Sequence, residues 1–266
     1  MVLKRLFCWI VCFSVARLCP AEDFRPFDGP RPVLVAIETD PWAMVPGSDS
    51  PRVAIYENGD VIFVQGSGVS QGYYFTRLTP NELNGLLQQA RSALVGQGLK
   101  HRYDMGGATD MPMAKFYFHD AGISMATEVY GLDCSPPNRF QRKSGPGRPP
   151  QCLLDLNKSL CGLDFTNSKK WVPRYVEVMM WDYAYAPGRS VPWPKDWPGL
   201  NSPRTIKRGD AYSIFLDGTM LPKLQTFLSN IKPKSATVID GKKMAVSYRF
   251  PFPSEPVWRK AFQSIE

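Results

Sequence analysis

Two histidines, His101 and His119, are the chain's only imidazoles. Imidazole is the side chain best suited to moving protons or holding a metal near neutral pH. His101 stands in a polar stretch with Asp104 and Asp110, and His119 is followed by Asp120. Such a group is the raw material of a metal-assisted hydrolase. The stretch has neither the HExxH spacing nor the paired cysteines of a zinc site. Asp104 and Asp110 fit better as turn formers that accept from nearby backbone amides. Gly68-Val69-Ser70-Gln71-Gly72 has the letters of a nucleophile elbow. That device needs a strand before the serine and a helix directly after it. Here an aromatic strand follows instead, so the stretch is expected to be a turn. No metal and no cofactor are expected. Non-catalytic binding leads, and a hydrolase using His101, Asp104 and Asp110, with or without a metal, is the alternative.

Two other sets are candidates for binding. Trp181, Tyr183, Tyr185, Trp193 and Trp197 lie among Pro187, Pro192, Pro194 and Pro198. They can line a rigid groove for a peptide or a glycan, or they can cover the seam between two parts of the chain, which is the favoured reading. Arg139, Arg142, Lys143 and Arg148 sit in a Pro/Gly-rich loop that would meet polyanions weakly, although a charge run is most often a solvated loop. Asn157-Lys158-Ser159 matches a glycosylation acceptor but falls on an expected helix. Cys134 and Cys152 flank the basic loop and are expected to pair. Cys161, in an apolar setting, then remains as a packed thiol, and Cys152–Cys161 is the alternative bridge.

The elements that position these groups are built around Gly72–Leu94. Tyr73, Tyr74, Phe75 and Thr76 are strand formers. Thr79, Pro80 and Glu82 then spell a helix start: an N-cap, a proline where its missing N–H costs nothing, and a capping box. Leu78 and Leu83 form the staple, and Leu83, Leu86, Leu87, Ala90 and Leu94 share one helical face. Ala211–Leu228 aligns with Tyr73–Ala90 without a gap, with Asp217 as the cap. Either a duplication or a common strand–cap–helix grammar explains the match.

The remaining elements follow in order. Val33–Glu38 is a strand. Arg52–Tyr56 and Val61–Val64 form a hairpin about Asn58-Gly59. Ala114–His119 and Ser124–Tyr130 form a second, and Leu153–Leu160 a closing helix. Tyr175–Trp181 restarts the pattern. Trp193–Leu200 is too proline-rich for a central strand. Thr237–Asp240 and Lys243–Arg249 make a last hairpin before a short helix capped by Ser254. Hairpins rather than helical crossovers imply an α+β fold of mainly antiparallel sheets, with helices packed on one side. Residues 33–165 and 171–266 make two similar, closely packed tandem halves, preceded by a loose Pro-rich arm at 22–32.

The order of an Asn-Gly-Asp hairpin, an aromatic strand, a Leu-Thr-Pro-x-Glu-Leu helix and Tyr-Asp…Thr-Asp-x-Pro runs through Tyr56–Gly59, Leu78–Leu87 and Tyr103–Pro112. It resembles uncharacterised domains of exported bacterial proteins over roughly residues 50–132. The resemblance implies export and a small sheet-plus-helix fold, and it implies no chemistry.

The chain's start agrees on export. Lys4-Arg5, an apolar run from Leu6 to Phe13 and a small-residue site ending at Ala21 form a signal peptide over residues 1–21. The run is too short to span a bilayer. Arg17 and Leu18 before Cys19 argue against a lipid anchor. Cleavage removes three bases and no acid, lowering the net charge from +8 to +5. That balance favours anionic surfaces weakly and is no nucleic-acid footprint. The expected setting is periplasmic or extracellular, with an envelope partner.

Overall fold

The computed structural model describes residues 24–42, 49–66, 72–95, 98–136, 141 and 145–264. The expected signal peptide and Ser70 lie outside them, as do Arg139, Arg142 and Lys143.

Among the described residues the chain forms two sheets. The first draws on β1 (Pro32–Thr39), β2 (Pro51–Tyr56), β3 (Asp60–Gln65), β4 (Gly72–Arg77), β5 (Arg102–Asp104), β6 (Met113–Asp120), β7 (Ile123–Tyr130) and β8 (Lys169–Lys170). Its order is β5-β7-β6-β1-β2-β3-β4-β8. Helix α1 (Pro80–Leu94) follows β4, and α2 (Gln151–Cys161) precedes β8. The second sheet draws on β9 (Tyr175–Asp182), β10 (Val191–Pro192), β11 (Thr205–Arg208), β12 (Ala211–Asp217), β13 (Thr237–Ile239) and β14 (Lys242–Arg249). Its order is β10-β13-β14-β9-β12-β11, with α3 (Leu221–Ser229) after β12 and α4 (Glu255–Gln263) at the end. Pairing is antiparallel except for β5–β7 and β10–β13, so this α+β fold has mixed sheets.

The start of α1 is built as its letters predict. Thr79 accepts from the Glu82 amide, and the Glu82 carboxylate accepts from the Thr79 amide at 2.7 Å. Such a cap contributes about 1 kcal/mol. The preceding hairpin is locked to it. Of the Asn58-Gly59 pair only Gly59 takes a positive φ, in a three-residue turn,. A Cβ there would lie 2.7 Å from the Leu78 carbonyl, and the Leu78 amide donates to Gly59 O.

The second strand–helix unit departs from its template. Asp217 makes no cap bond; its carboxylate accepts from Arg204, and a short 3-10 turn, Gly218–Met220, precedes α3. Ser254 also makes no cap bond. It sits at φ 51° and donates its hydroxyl to Gly29 O. The strand orders differ as well. In the first half the leading hairpin strand, β6, pairs with β1, whereas in the second the trailing strand, β14, pairs with β9.

Both faces of the first sheet are covered, which is why its strands are almost continuously apolar. On one face Leu34, Ile55, Phe63 and Phe118 pack with Leu94 of α1 and Leu153 of α2. On the other, Val35, Tyr56, Ile62 and Tyr117 pack with Phe252, Trp258 and Phe262. Helices therefore lie on both sides of this sheet, and α4, at the end of the second half, belongs spatially to the first. The N-terminal arm makes the reciprocal crossing. Phe24 stacks edge-on against Tyr175 and Phe215, and Phe27 against Phe215, at centroid distances of 5.3–5.8 Å. The Ser254 amide donates to Phe27 O, joining arm to strap. The arm is thus held, not loose.

Among the described residues a disulfide joins Cys134 to Cys161, and Cys152 is a free thiol. The expected Cys134–Cys152 bridge fails because α2 sets its two cysteines about 13 Å apart along its axis. That separation equally rules out Cys152–Cys161. The Asn157 amide donates to Asp133 O, bringing Cys134 to the far end of the helix. Cys152 instead donates to Ala93 O on α1. Asn157 is buried in this contact and is no accessible glycosylation acceptor.

Candidate functional site

Of the residues of the hydrolase alternative, His101 precedes β5, Asp104 ends it and Asp110 lies in the loop beyond. Asp104 Oδ1 accepts from the Gly106 amide at 2.8 Å, the turn-forming role its type suggests. Asp110 is exposed in the left-handed region, at φ 57°. His101 is exposed with Nδ1 3.3 Å from Ala126 O, and His119 is on β6. Among the described residues no three His, Cys, Asp or Glu side chains are grouped to hold a metal. Arg148 is the described member of the basic loop, beside the Gly145 turn its amide closes.

The predicted aromatic set is split, and its tryptophans do not cover the seam. Trp193 and Trp197 pack edge-to-face with each other and with Phe227 of α3, inside the second sheet's own core. Trp193 Nε1 donates to Pro198 O at 3.0 Å. Trp181 lies on β9 opposite Ala245. Tyr183 and Tyr185 stack on each other away from that core, with Tyr185 81% exposed.

Other aromatics occupy the seam. The chain leaves α2, adds β8 to the outer edge of β4, and the Trp171 amide donates to Tyr73 O at 2.8 Å. This sets Trp171 against Tyr73, Phe250 and Phe252 at centroid distances of 5.0–6.0 Å. Phe250 packs on the cores of both sheets. Burial pushes the Tyr73 phenol up to about 12, opposed by its bond with Ser50, so the ring stays neutral.

Beside this cluster a cleft of about 810 Å³ opens between the halves. The first half lines it with Tyr73, Lys170 and Trp171, and the second with Gly218, with Leu221 and Gln225 of α3, and with Tyr248, Arg249 and Phe250 of the β14 end. Gly218 permits the close approach: a Cβ there would lie 1.9 Å from Pro173 O. Gln225 donates to the Tyr248 hydroxyl at 3.0 Å, fixing a polar pair at the rim.

Arg249 is 5% exposed and heads a charge network. It reaches Glu177 Oε2 at 2.5 Å and Glu255 Oε1 at 2.7 Å. Glu177 also accepts from Ser213 at 2.6 Å and pairs with Arg208 at 3.4 Å. Glu255 pairs with Arg259 and caps the Phe252 amide, and Arg259 donates to Asp49 O. β9, β14, α4 and the chain before β2 are thereby tied together behind the cleft.

A second hollow of about 560 Å³ adjoins the first, sharing Ser50, Val64 and Tyr73. It is acidic, holding Glu38, Asp40, Asp110 and Asp133 with Arg52. Burial, with repulsion from Asp133 and Asp40, raises Glu38 above its ordinary range against the pull of Arg52.

The seam residues were not singled out in the sequence. Their signals were Lys169-Lys170-Trp171 in the connector between halves and the Phe-Pro alternation of Phe250–Pro253. No family model matches the chain, and neither curated proteins nor solved structures include a match to it. No described helix is long and apolar enough to cross a membrane.

Proposed function

We propose that the protein is an exported, non-catalytic binding module of the cell envelope that takes its ligand in the cleft between the two sheets. The carrying observation is the cleft's make-up. Its apolar lining of Trp171, Leu221 and Phe250 is interrupted by a few polar groups, the held Gln225 and Arg249 and the exposed Lys170. Ligand sites are typically concave, mostly apolar and oriented by a few polar groups. A disulfide of the kind formed in oxidising compartments and the signal-peptide pattern support export,. Among the described residues no three His, Cys, Asp or Glu side chains are placed to hold a metal, so the hydrolase alternative has no comparable support.

The test is a ligand-observed NMR screen of phenyl-, indole- and alkyl-bearing fragments, including short peptides and sugars. Wild type is compared with Thr219→Trp, which fills the cleft from its rim. Saturable hits lost in the variant are the expected result. Hits that persist in Thr219→Trp would move the binding site elsewhere.

A further inference from the structure

We infer that the cleft is selective for an amphiphilic anion: an apolar ring or chain carrying one carboxylate or similar acidic head. The inference rests on the cleft being the binding site and adds the class of its ligand. Three observations carry it.

The first is charge. Among the described residues no Asp or Glu lines this cleft, whereas Lys170 and Arg249 do. Lys170 is exposed at the rim. Behind the wall, Arg208, Arg249 and Arg259 face two carboxylates, Glu177 and Glu255. Asp49 also faces Arg259, so the network is close to balanced, and among the described residues the uncompensated cation at the cleft is Lys170 at its rim.

The second is an unmet donor. Guanidinium carries five N–H groups. Arg249 spends its Nη groups on Glu177 and Glu255, while its buried Nε has no partner among the described residues. A buried donor left without an acceptor is costly, so an acidic head that displaces the groups covering Nε and accepts from it gains more than at a solvated cation,.

The third is the neighbour. The adjoining hollow is acidic, with Glu38, Asp40, Asp110 and Asp133. It repels an anion from that side and leaves the Lys170–Arg249 end as the seat for the acidic head. The apolar body then lies along Trp171, Leu221 and Phe250.

Three isosteres that differ only in the head group test this: 3-phenylpropionate, 3-phenylpropanol and 3-phenylpropylamine. Each is titrated into the full mature chain at low salt and followed by NMR shifts. Binding of the acid at least about tenfold tighter than the alcohol, with the amine weakest, is the expected order. Lys170→Glu, an exposed substitution that spares the buried network, should weaken the acid several-fold and leave the alcohol unchanged. Arg249→Lys, which keeps the charge but removes Nε–H, should also weaken the acid if the variant folds. Equal affinity for acid and alcohol, unaltered in Lys170→Glu, would overturn the anion inference while leaving the cleft as a binding site. Preference for the amine would overturn it too, in favour of the acidic hollow. No saturable binding by any of the three would count against the cleft itself.

Discussion

Arg249 on β14 and Glu177 on β9 meet at 2.5 Å with both side chains buried, facing each other across a pair of adjacent strands. Through Glu255 the same arginine also reaches α4, which covers the first sheet. One guanidinium therefore links the second sheet to the strap that closes the first. Removing it takes away the cation the two buried carboxylates share, leaving Glu177 with Arg208 and Ser213 and Glu255 with Arg259. Arg249→Met should lose roughly 3–5 kcal/mol at neutral pH, the usual consequence of breaking a buried pair on one side. Urea unfolding measures it. A change below about 1 kcal/mol would mean the network is solvated and does not join the halves.

The crossed straps make a second prediction. Trp258 belongs by sequence to the second half and is buried on the first sheet. Trp258→Ala should cost about 3–5 kcal/mol. Hydrogen exchange should show the lost protection in β1 and β6. Loss confined to β9 and β12 would contradict the packing.

The disulfide closes a loop with a sequence separation of 27. Cys161→Ser should lower stability by about 3–4 kcal/mol on the chain-entropy account. Cys152→Ser should be nearly neutral. Mass spectrometry of the unfolded, unreduced chain prepared from residue 22 onward should find one alkylatable thiol, Cys152. Labelling at Cys134 or Cys161 instead would refute the pairing.

Glu38 gives a pH prediction. Burial comes first among the causes that raise it above its ordinary 4.5, followed on the same side by Asp133 and Asp40, with Arg52 opposing. A raised carboxylate binds its proton more tightly in the folded state. Its penalty is absent below the ordinary value, grows as pH rises through the raised one, and is complete above it. Glu38→Gln should therefore stabilise the protein at pH 7, and the gain should vanish towards pH 4. Thermal melts across that range check the sign. A gain that grows on acidification would reverse the assignment.

The fold was largely legible because its local signals agree with one another. Thr79, Pro80 and Glu82 mark one boundary, and the structure builds the capping box there. The Asn58-Gly59 turn closes the hairpin it announces, and the last hairpin turns at Asp240-Gly241, one residue before the expected Gly241-Lys242. Signals lacking a fixed partner were less dependable. Asp217 and Ser254 have capping letters, yet Arg204 and Gly29 claim their side chains. Cys134 pairs with Cys161 because of where a loop meets a helix end, and residue spacing does not encode that. The seam was least legible. Tyr73, Trp171 and Phe250 are far apart in the chain, and only the addition of β8 to β4 and the crossing of the C-terminal segment bring them together. The aromatic cluster that stood out in the sequence, Trp193 with Trp197, fills a core because α3 lies over it.

The most direct measurement follows the tryptophan indole N–H signals, assigned by single Trp→Phe substitutions, during titration with 3-phenylpropionate. Binding in the seam cleft predicts a saturable shift of the Trp171 signal, with Trp193 and Trp197 unmoved. A saturable shift at Trp193, Trp197 or Trp181 with Trp171 unaffected would contradict the account and return the site to the second half's own aromatic segment.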